Sequence, residues 1–360
     1  NVLFLTKKRA VKSIEDDFNN FGFDFILTVV NNESLHLIKG NYDLLISDEH
    51  HRNGAFPKPN KMTKDIKERF FNLPMIFLSG TPHPENYSQI YHQFWCSSYN
   101  PFKEVNFYKW AKSYVNVKDR NLGYAIVKDY SEAKYDLIKP IIDKYLISFT
   151  QVEAGFETNV IERVLKVPMK PVVYQVANKL KRDLVIITQD GNEIIADTSV
   201  KLMQKLHQIY SGTIIFEDKS SRIIDTSKAE FIKDFFKGKK LGIFYKFKAE
   251  YKALKEVFQD NLTDDLTDFN TSRKHIALQI VSGREGISLK EADYLVYYNI
   301  DFSATSYWQS RDRLTTMQRQ SNEVFWIFSE GGIEEKIYQK VKSKKNYTSS
   351  IFKRDYEFSN

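Results

Sequence analysis

Tyr42-Asp43-Leu44-Leu45-Ile46-Ser47-Asp48-Glu49-His50-His51 is the stretch whose reading decides the fold. The apolar run Leu44-Leu45-Ile46 is too short for a helix and reads as a buried strand. Asp48 and Glu49 follow where that strand should end. In open α/β sheets ligands gather outside the carboxyl ends of strands, so the two carboxylates are delivered to a crevice edge. In nucleotide hydrolases an acid in this place holds Mg²⁺, and its neighbour can orient the attacking water. For ten residues alone the plainer reading is a strand running out into a solvated acidic turn, so the flanking sequence decides.

Upstream, residues 2–5 (Val-Leu-Phe-Leu) read as a buried strand, followed by Thr6-Lys7-Lys8-Arg9 and a helical pattern through Phe18. A strand beginning at residue 2 predicts that further sequence lies upstream. Residues 23–30 form a second β-rich run and residues 34–38 a short helix-like stretch. Downstream come a Gly/Pro-bearing loop over 52–60, a helix over 62–71 and a strand over 74–78 that ends in Ser79-Gly80-Thr81-Pro82. Strand, helix, strand, helix, strand is the grammar of a parallel sheet with covering helices. From 84 to about 148 aromatic residues crowd a mostly helical spacing, which reads as core rather than as a stacking surface. A strand is expected over 160–167 and helices over 172–184 and 198–210, with a polar turn at Gln189-Asp190-Gly191-Asn192. A second α/β unit begins near Ser227: helix 229–236, strand 241–245, helix 249–258, strand 275–281, strand 294–300, helix 303–317, strand 324–328 and helix 334–341. The class is therefore α/β, two parallel-sheet lobes joined by a helical middle and expected to face each other across a cleft. The divisions are 1–105, 106–226, 227–345 and a basic, polar tail over 346–360.

Composition bounds the function. With 360 residues, 42% hydrophobic and 28% charged, with sparse Gly and Pro, the chain is an ordinary globular protein with room for two cores. No apolar run reaches the length of a membrane span and no leader pattern opens the chain, so the expected setting is cytoplasmic or nucleoid-associated, neither secreted nor membrane-bound. Cys96 is the single cysteine, which excludes an internal disulfide and a cysteine-based zinc site. His50-His51 lacks the spacing of a paired metal site. Lys and Arg number 53 against 46 acids, a net charge of +7 that accords with a nucleic-acid partner without requiring one.

Ser-Gly-Thr-Pro alone is good turn chemistry. One loop, one helix and one strand after Asp-Glu-His-His it gains specificity. If the two strands lie side by side, Ser79 and Thr81 end beside Asp48. Residues 42–86 resemble the Swi/Snf-type translocases of helicase superfamily 2. The family pattern of Asp-Glu-x-His, Arg, helix, Leu-x-Gly-Thr-Pro and Asn is met by Asp48, Glu49, His51, Arg52, Leu78, Gly80, Thr81, Pro82 and Asn86. Gly283-Arg284-Glu285-Gly286-Ile287-Ser288-Leu289 with Ala292-Asp293 resembles motif V, and Tyr307-Trp308-Gln309 through Arg313 resembles motif VI. Gly331-Gly332-Ile333-Glu334-Glu335 is similar to the family's Gly-Thr-Ile-Glu-Glu, residues 3–10 to motif Ia and residues 242–247 to motif IV. The likeness spans nearly the whole chain and is loosest over 102–228.

The resemblance implies two RecA-like lobes, the first N-terminally incomplete, and ATP hydrolysis between them with ATP and Mg²⁺ as cofactors. Asp48 would coordinate Mg²⁺ in a DEAH-type box, and Glu49 would position or deprotonate water. His51 would link that site to Ser79 and Thr81, while Gly283 and Gly286 would lie at the nucleotide. Gln309 and Arg313 would face the γ-phosphate, with Arg319 in reserve. An arginine so placed is worth roughly 10³-fold or more in rate. Without Gln309 and motif V, Arg311, Arg313 and Arg319 would read as a solvated basic face. Thr6, Lys7, Ser34, Lys248 and Ser288 would hold the phosphates of double-stranded DNA without reading bases. Two departures stand out: no Gly-x-x-x-x-Gly-Lys-[Ser/Thr] loop occurs in these residues, and Thr316 stands where the family has a second arginine. They keep open a non-catalytic nucleic-acid-binding scaffold beside the translocase, and shared motifs keep open a strand-separating helicase on DNA or RNA. The lean length accords with a phage or mobile-element protein.

Overall fold

The computed structural model describes residues 1–80, 82–83, 86–121, 126–148, 159–283, 288–311, 321–343, 347 and 351–352. The chain divides into two units, Asn1–Phe149 and Thr150–Asn360. No helix among the described residues is long and apolar enough to cross a membrane.

The first unit opens with β1 (Val2–Thr6), α1 (Val11–Phe21), β2 (Leu27–Asn31), β3 (Leu44–Ser47), α2 (Lys61–Phe70) and β4 (Met75–Phe77). The four strands form one parallel sheet in the order β2-β1-β3-β4, with Leu3 opposite Leu45 and Ile46 opposite Ile76. Gly22 stops α1 in the left-handed region, φ 63°, where its N–H reaches the Phe18 carbonyl. Asn60 caps α2 by accepting from the Thr63 N–H at 2.9 Å. Thr63, Ile66 and Phe70 recur at helical spacing and are buried. Ile66 and Phe70 pack on Leu3, Leu5, Leu35 and Leu45. From β1 the chain steps to β2 on one side and then to β3 and β4 on the other. The topological switch therefore falls between β1 and β3, at whose carboxyl ends Thr6 and Asp48 stand.

The unit continues with α3 (Ile90–Trp95), α4 (Phe107–Tyr114), the antiparallel hairpin β5 (Lys118–Asn121) and β6 (Ile126–Asp129), and α5 (Tyr135–Ile142). The aromatic-dense stretch is a core here. Tyr91, Phe102, Phe107 and Trp110 are buried together with Ile138 and Ile142.

The second unit runs β7 (Asn159–Val167), α6 (Pro171–Asp183), β8 (Val185–Ile187), β9 (Glu193–Ile195), α7 (Ser199–Tyr210), β10 (Thr213–Ile215), β11 (Ser221–Ile223), α8 (Ser227–Phe235), β12 (Leu241–Tyr245), α9 (Lys248–Phe258), β13 (Leu262–Thr263), α10 (Leu266–Thr271), β14 (His275–Gln279), α11 (Ile280–Gly283), β15 (Tyr294–Tyr297), α12 (Ala304–Arg311), β16 (Ser321–Ser329) and α13 (Glu334–Lys342). Six strands form an all-parallel sheet in the order β13-β14-β12-β15-β16-β7. Parallel sheets need apolar cover on both faces, and β12, β15 and β16 supply near-continuous apolar runs, with Phe244, Tyr297 and Trp326 buried at their centre. The Tyr297 and Trp326 rings stack at 3.8 Å.

The expected α/β class with two parallel-sheet lobes is what the structure has. The stretch set apart as a helical middle, 106–226, is divided instead. Its first third packs in the first unit, while β7, α6 and α7 belong to the second unit and β7 completes its sheet. Three short hairpins, β5–β6, β8–β9 and β10–β11, were not expected there. The strand expected over 275–281 stops at Gln279, where the chain turns helical. Phe23 and Phe25 lie before β2, exposed, rather than in it. The helix expected over 303–317 is described as α12, with 312–320 outside the described residues.

Candidate active site

The corner after β3 is built from three strand ends. Asp48 N donates to the Leu5 carbonyl at 2.8 Å, Leu78 N to the Ser47 carbonyl at 2.9 Å, and His50 N to the Leu78 carbonyl at 2.9 Å. Between these bonds Glu49 takes left-handed backbone angles, φ 48° and ψ 42°. A non-glycine residue there costs about 1–2 kcal/mol, and such strain is sustained where the surroundings over-determine the backbone. The corner sets two successive carboxylates at the sheet's switch point. Asp48 Oδ1 accepts from Glu49 N at 2.9 Å, and Asp48 Oδ2 accepts from Thr6 Oγ1 at 2.7 Å.

Burial is the main cause that raises the Asp48 carboxyl above its usual range, with the Glu49 charge adding to it. The hydrogen bonds from Thr6 and Glu49 N, and the nearby Lys7 charge, act the other way. An ionised carboxylate so short of compensation is stabilised by a cation. Hard oxygen donors of this kind suit Mg²⁺, which binds through one or two carboxylates and keeps waters and phosphate oxygens as its other ligands. Among the described residues no group of three or more His, Cys, Asp or Glu side chains could cage a metal.

The two histidines differ completely. His51 Nδ1 lies 3.1 Å from Glu49 Oε2 and 2.9 Å from Ser79 Oγ, so the imidazole joins the acidic corner to the turn after β4. His50 is buried: Nδ1 meets Ser47 Oγ at 2.9 Å, Nε2 meets the Gln93 carbonyl at 2.9 Å, and the ring lies flat on Phe77 at 3.6 Å. Burial pulls its pKa down to about 4, which keeps it neutral. Gln93 Nε2 donates to the Pro82 carbonyl at 2.6 Å and so holds the same turn. His50 and Gln93 are supports that sequence reasoning did not single out; the adjacency of His50 to the acidic pair was the available signal.

Other expected site residues fall in different places. Thr6 is fully buried with its hydroxyl given to Asp48, so it belongs to the acidic corner and not to a phosphate-binding surface. Lys7 is half-buried beside it, and Ser34 is half-buried with its N–H on Asn31 Oδ1. Lys248 opens α9 and is exposed, as is Ser288. Gly283 ends α11. Gln309 lies on α12. Thr81, Gly286, Arg313, Thr316 and Arg319 lie outside the described residues. Arg311 is no solvated cation: it pairs with Glu162 at 2.9 Å and stacks on Trp308 at 4.5 Å.

No protein-family model matches the sequence, and no curated protein matches it. Solved structures similar to it include the Sulfolobus solfataricus SWI2/SNF2 ATPase core in complex with double-stranded DNA, at 16% identity and a TM-score of 0.36 over 100% of this chain and 82% of that one. The ATPase core domain from the same organism is similar at 15% identity and a TM-score of 0.36, over 95% and 78%. The C-terminal part of the Fun30 ATPase domain is similar at 12% identity and a TM-score of 0.42, over 56% of this chain and 96% of that one.

Proposed function

We propose that the chain is an ATP hydrolase motor of the Swi/Snf type, working on double-stranded DNA, with Asp48 and Glu49 as its acidic dyad. The observation that supports this reading is the pair of contacts at the switch point: Thr6 on Asp48, and His51 between Glu49 and Ser79. Asp48 would hold Mg²⁺, which when bound supplies charge neutralisation at the triphosphate. Glu49 orients the attacking water and accepts its proton, from a backbone held in the left-handed region. His51 transmits the state of that carboxylate to the Ser79 turn. By the resemblance, Gln309 and Arg313 would face the γ-phosphate. Lys7, Ser34, Lys248 and Ser288 are the phosphate contacts of the DNA, which the +7 charge attracts.

Stimulation of ATP turnover by duplex DNA, measured on the full-length protein, tests this reading. Turnover that rises severalfold with duplex supports it, and turnover unmoved by any nucleic acid overturns it. A strand-separating activity would show as unwinding of forked substrates. Thr316, in place of an arginine, favours a second reading as a nucleic-acid-binding scaffold. ATP binding to the full-length protein separates the two.

A further inference from the structure

Glu162 lies on β7, and four donors from three other elements converge on its carboxylate. Tyr307 OH lies 2.8 Å from both Oε1 and Oε2, and Arg311 Nη1 2.9 Å from Oε1. Trp326 Nε1 lies 3.0 Å and Tyr338 OH 3.1 Å from Oε2. The Glu162 side chain is 8% exposed. A buried carboxylate of this kind is a costly way to hold a fold together, since well-packed apolar residues of similar size are often equal or better. What it supplies and an apolar contact does not is direction.

Two of the four donors, Tyr307 and Arg311, sit four residues apart on one face of α12. The rest of the helix is fixed from other sides. Ser306 Oγ donates to Asp301 Oδ2 at 2.7 Å, Ser310 Oγ accepts from Tyr297 OH at 2.6 Å, and Trp308 Nε1 donates to the Val341 carbonyl at 3.2 Å. Asp301 is itself ion-paired with Lys246. Lys246 and Asp301 follow β12 and β15, the neighbours between which the second sheet's connections reverse direction. The helix is thus anchored at five of its eight residues, and it carries Gln309.

We propose that Glu162 is a positioning residue, a carboxylate on the edge strand that fixes the rotation of α12 and thereby of the segment bearing Gln309. The functional part rests on the ATPase reading above. Its cost is expressed in kcat, because a catalytic group misplaced by about an ångström loses roughly 10²-fold in rate.

The test is Glu162→Gln, with Arg311→Met as a second variant that removes one donor and leaves the carboxylate satisfied by three. Both are assayed in the full-length protein at a temperature where each is folded. The expected result is a kcat lowered threefold or more, with KM for ATP within twofold of the wild type. In parallel, amide exchange over 304–311 should quicken tenfold or more while β12 keeps its protection. Should Glu162→Gln not fold, Arg311→Met decides on the same thresholds. Folded variants with kcat lowered less than threefold, or with KM alone changed, would overturn the functional part. Unchanged exchange over 304–311 would overturn the positioning itself. A wild type without ATPase activity would sink the reading of the previous section, and exchange would still decide on Glu162.

Discussion

Replacing Glu49 by Ala and, separately, by Gly tests whether the acidic corner stores strain. Both variants lose the carboxylate, and with it the contact to His51 Nδ1 at 3.1 Å, worth about 0.5–1.5 kcal/mol. They differ in the backbone. Alanine must still sit at φ 48° and ψ 42°, which costs an L-residue about 1–2 kcal/mol, whereas glycine adopts those angles freely. Glycine returns roughly 0.5–1 kcal/mol of that gain through the extra freedom of its unfolded chain. The net expectation is that Glu49→Gly is more stable than Glu49→Ala by about 0.5–1 kcal/mol. For a unit of this size that is about 1–4 °C in the first unit's Tm, read by scanning calorimetry at pH 7 without added Mg²⁺. Both variants should be inactive. An alanine variant as stable as the glycine variant would show that residue 49 is not held in the left-handed region, and the geometry assigned to the dyad would go with it.

Asp48→Asn should raise stability at neutral pH in the absence of divalent ions. Burial lifts the Asp48 carboxyl above its usual range, so its ionisation opposes folding once pH exceeds the folded value; the gain should vanish at pH below the ordinary aspartate range, where both forms are neutral. Mg²⁺ with nucleotide should then stabilise the wild type and leave Asp48→Asn unmoved, which thermal shift at pH 8 reads directly. His50 and His92 are both drawn down to about 4 by burial, so the folded first unit refuses protons that the unfolded chain accepts from about pH 6.5 downward. Its stability should therefore fall between pH 6.5 and 4, by up to about 3 kcal/mol for each histidine, and a His50→Phe variant should show a shallower slope in denaturant titrations. In the second unit Lys228 and Glu334 form a fully buried pair at 2.7 Å; Lys228→Met should cost about 3–5 kcal/mol by stranding Glu334, and adding Glu334→Leu should recover most of it.

Much of this was legible in the sequence because the strands that matter are apolar runs bounded by turn residues. Residues 2–5, 44–46 and 241–245 announce themselves that way, and α2 shows its buried face at helical spacing. The three hairpins were not legible, since strands of three or four residues, such as Val185–Ile187 and Glu193–Ile195 around a polar turn, are too short for a period to register. The left-handed backbone at Glu49 leaves no trace in residue type, because glutamate has no preference for it. The resemblance puts Thr6 on a phosphate surface, a hydroxyl at a strand end suits either task, and only the pairing of β1 with β3 brings it to Asp48. Glu162 carried a fainter signal: alternation along β7 puts it on one face with Val160 and Val164, and a carboxylate on a partly apolar face needs partners.

The most direct measurement separates binding from turnover at Glu49. In the full-length protein with duplex DNA present, Glu49→Gln should keep the affinity for ATP within a few-fold and lose turnover by about 10²-fold or more, the usual worth of a general base. A glutamine variant that hydrolyses ATP at the wild-type rate would contradict the assignment of the dyad.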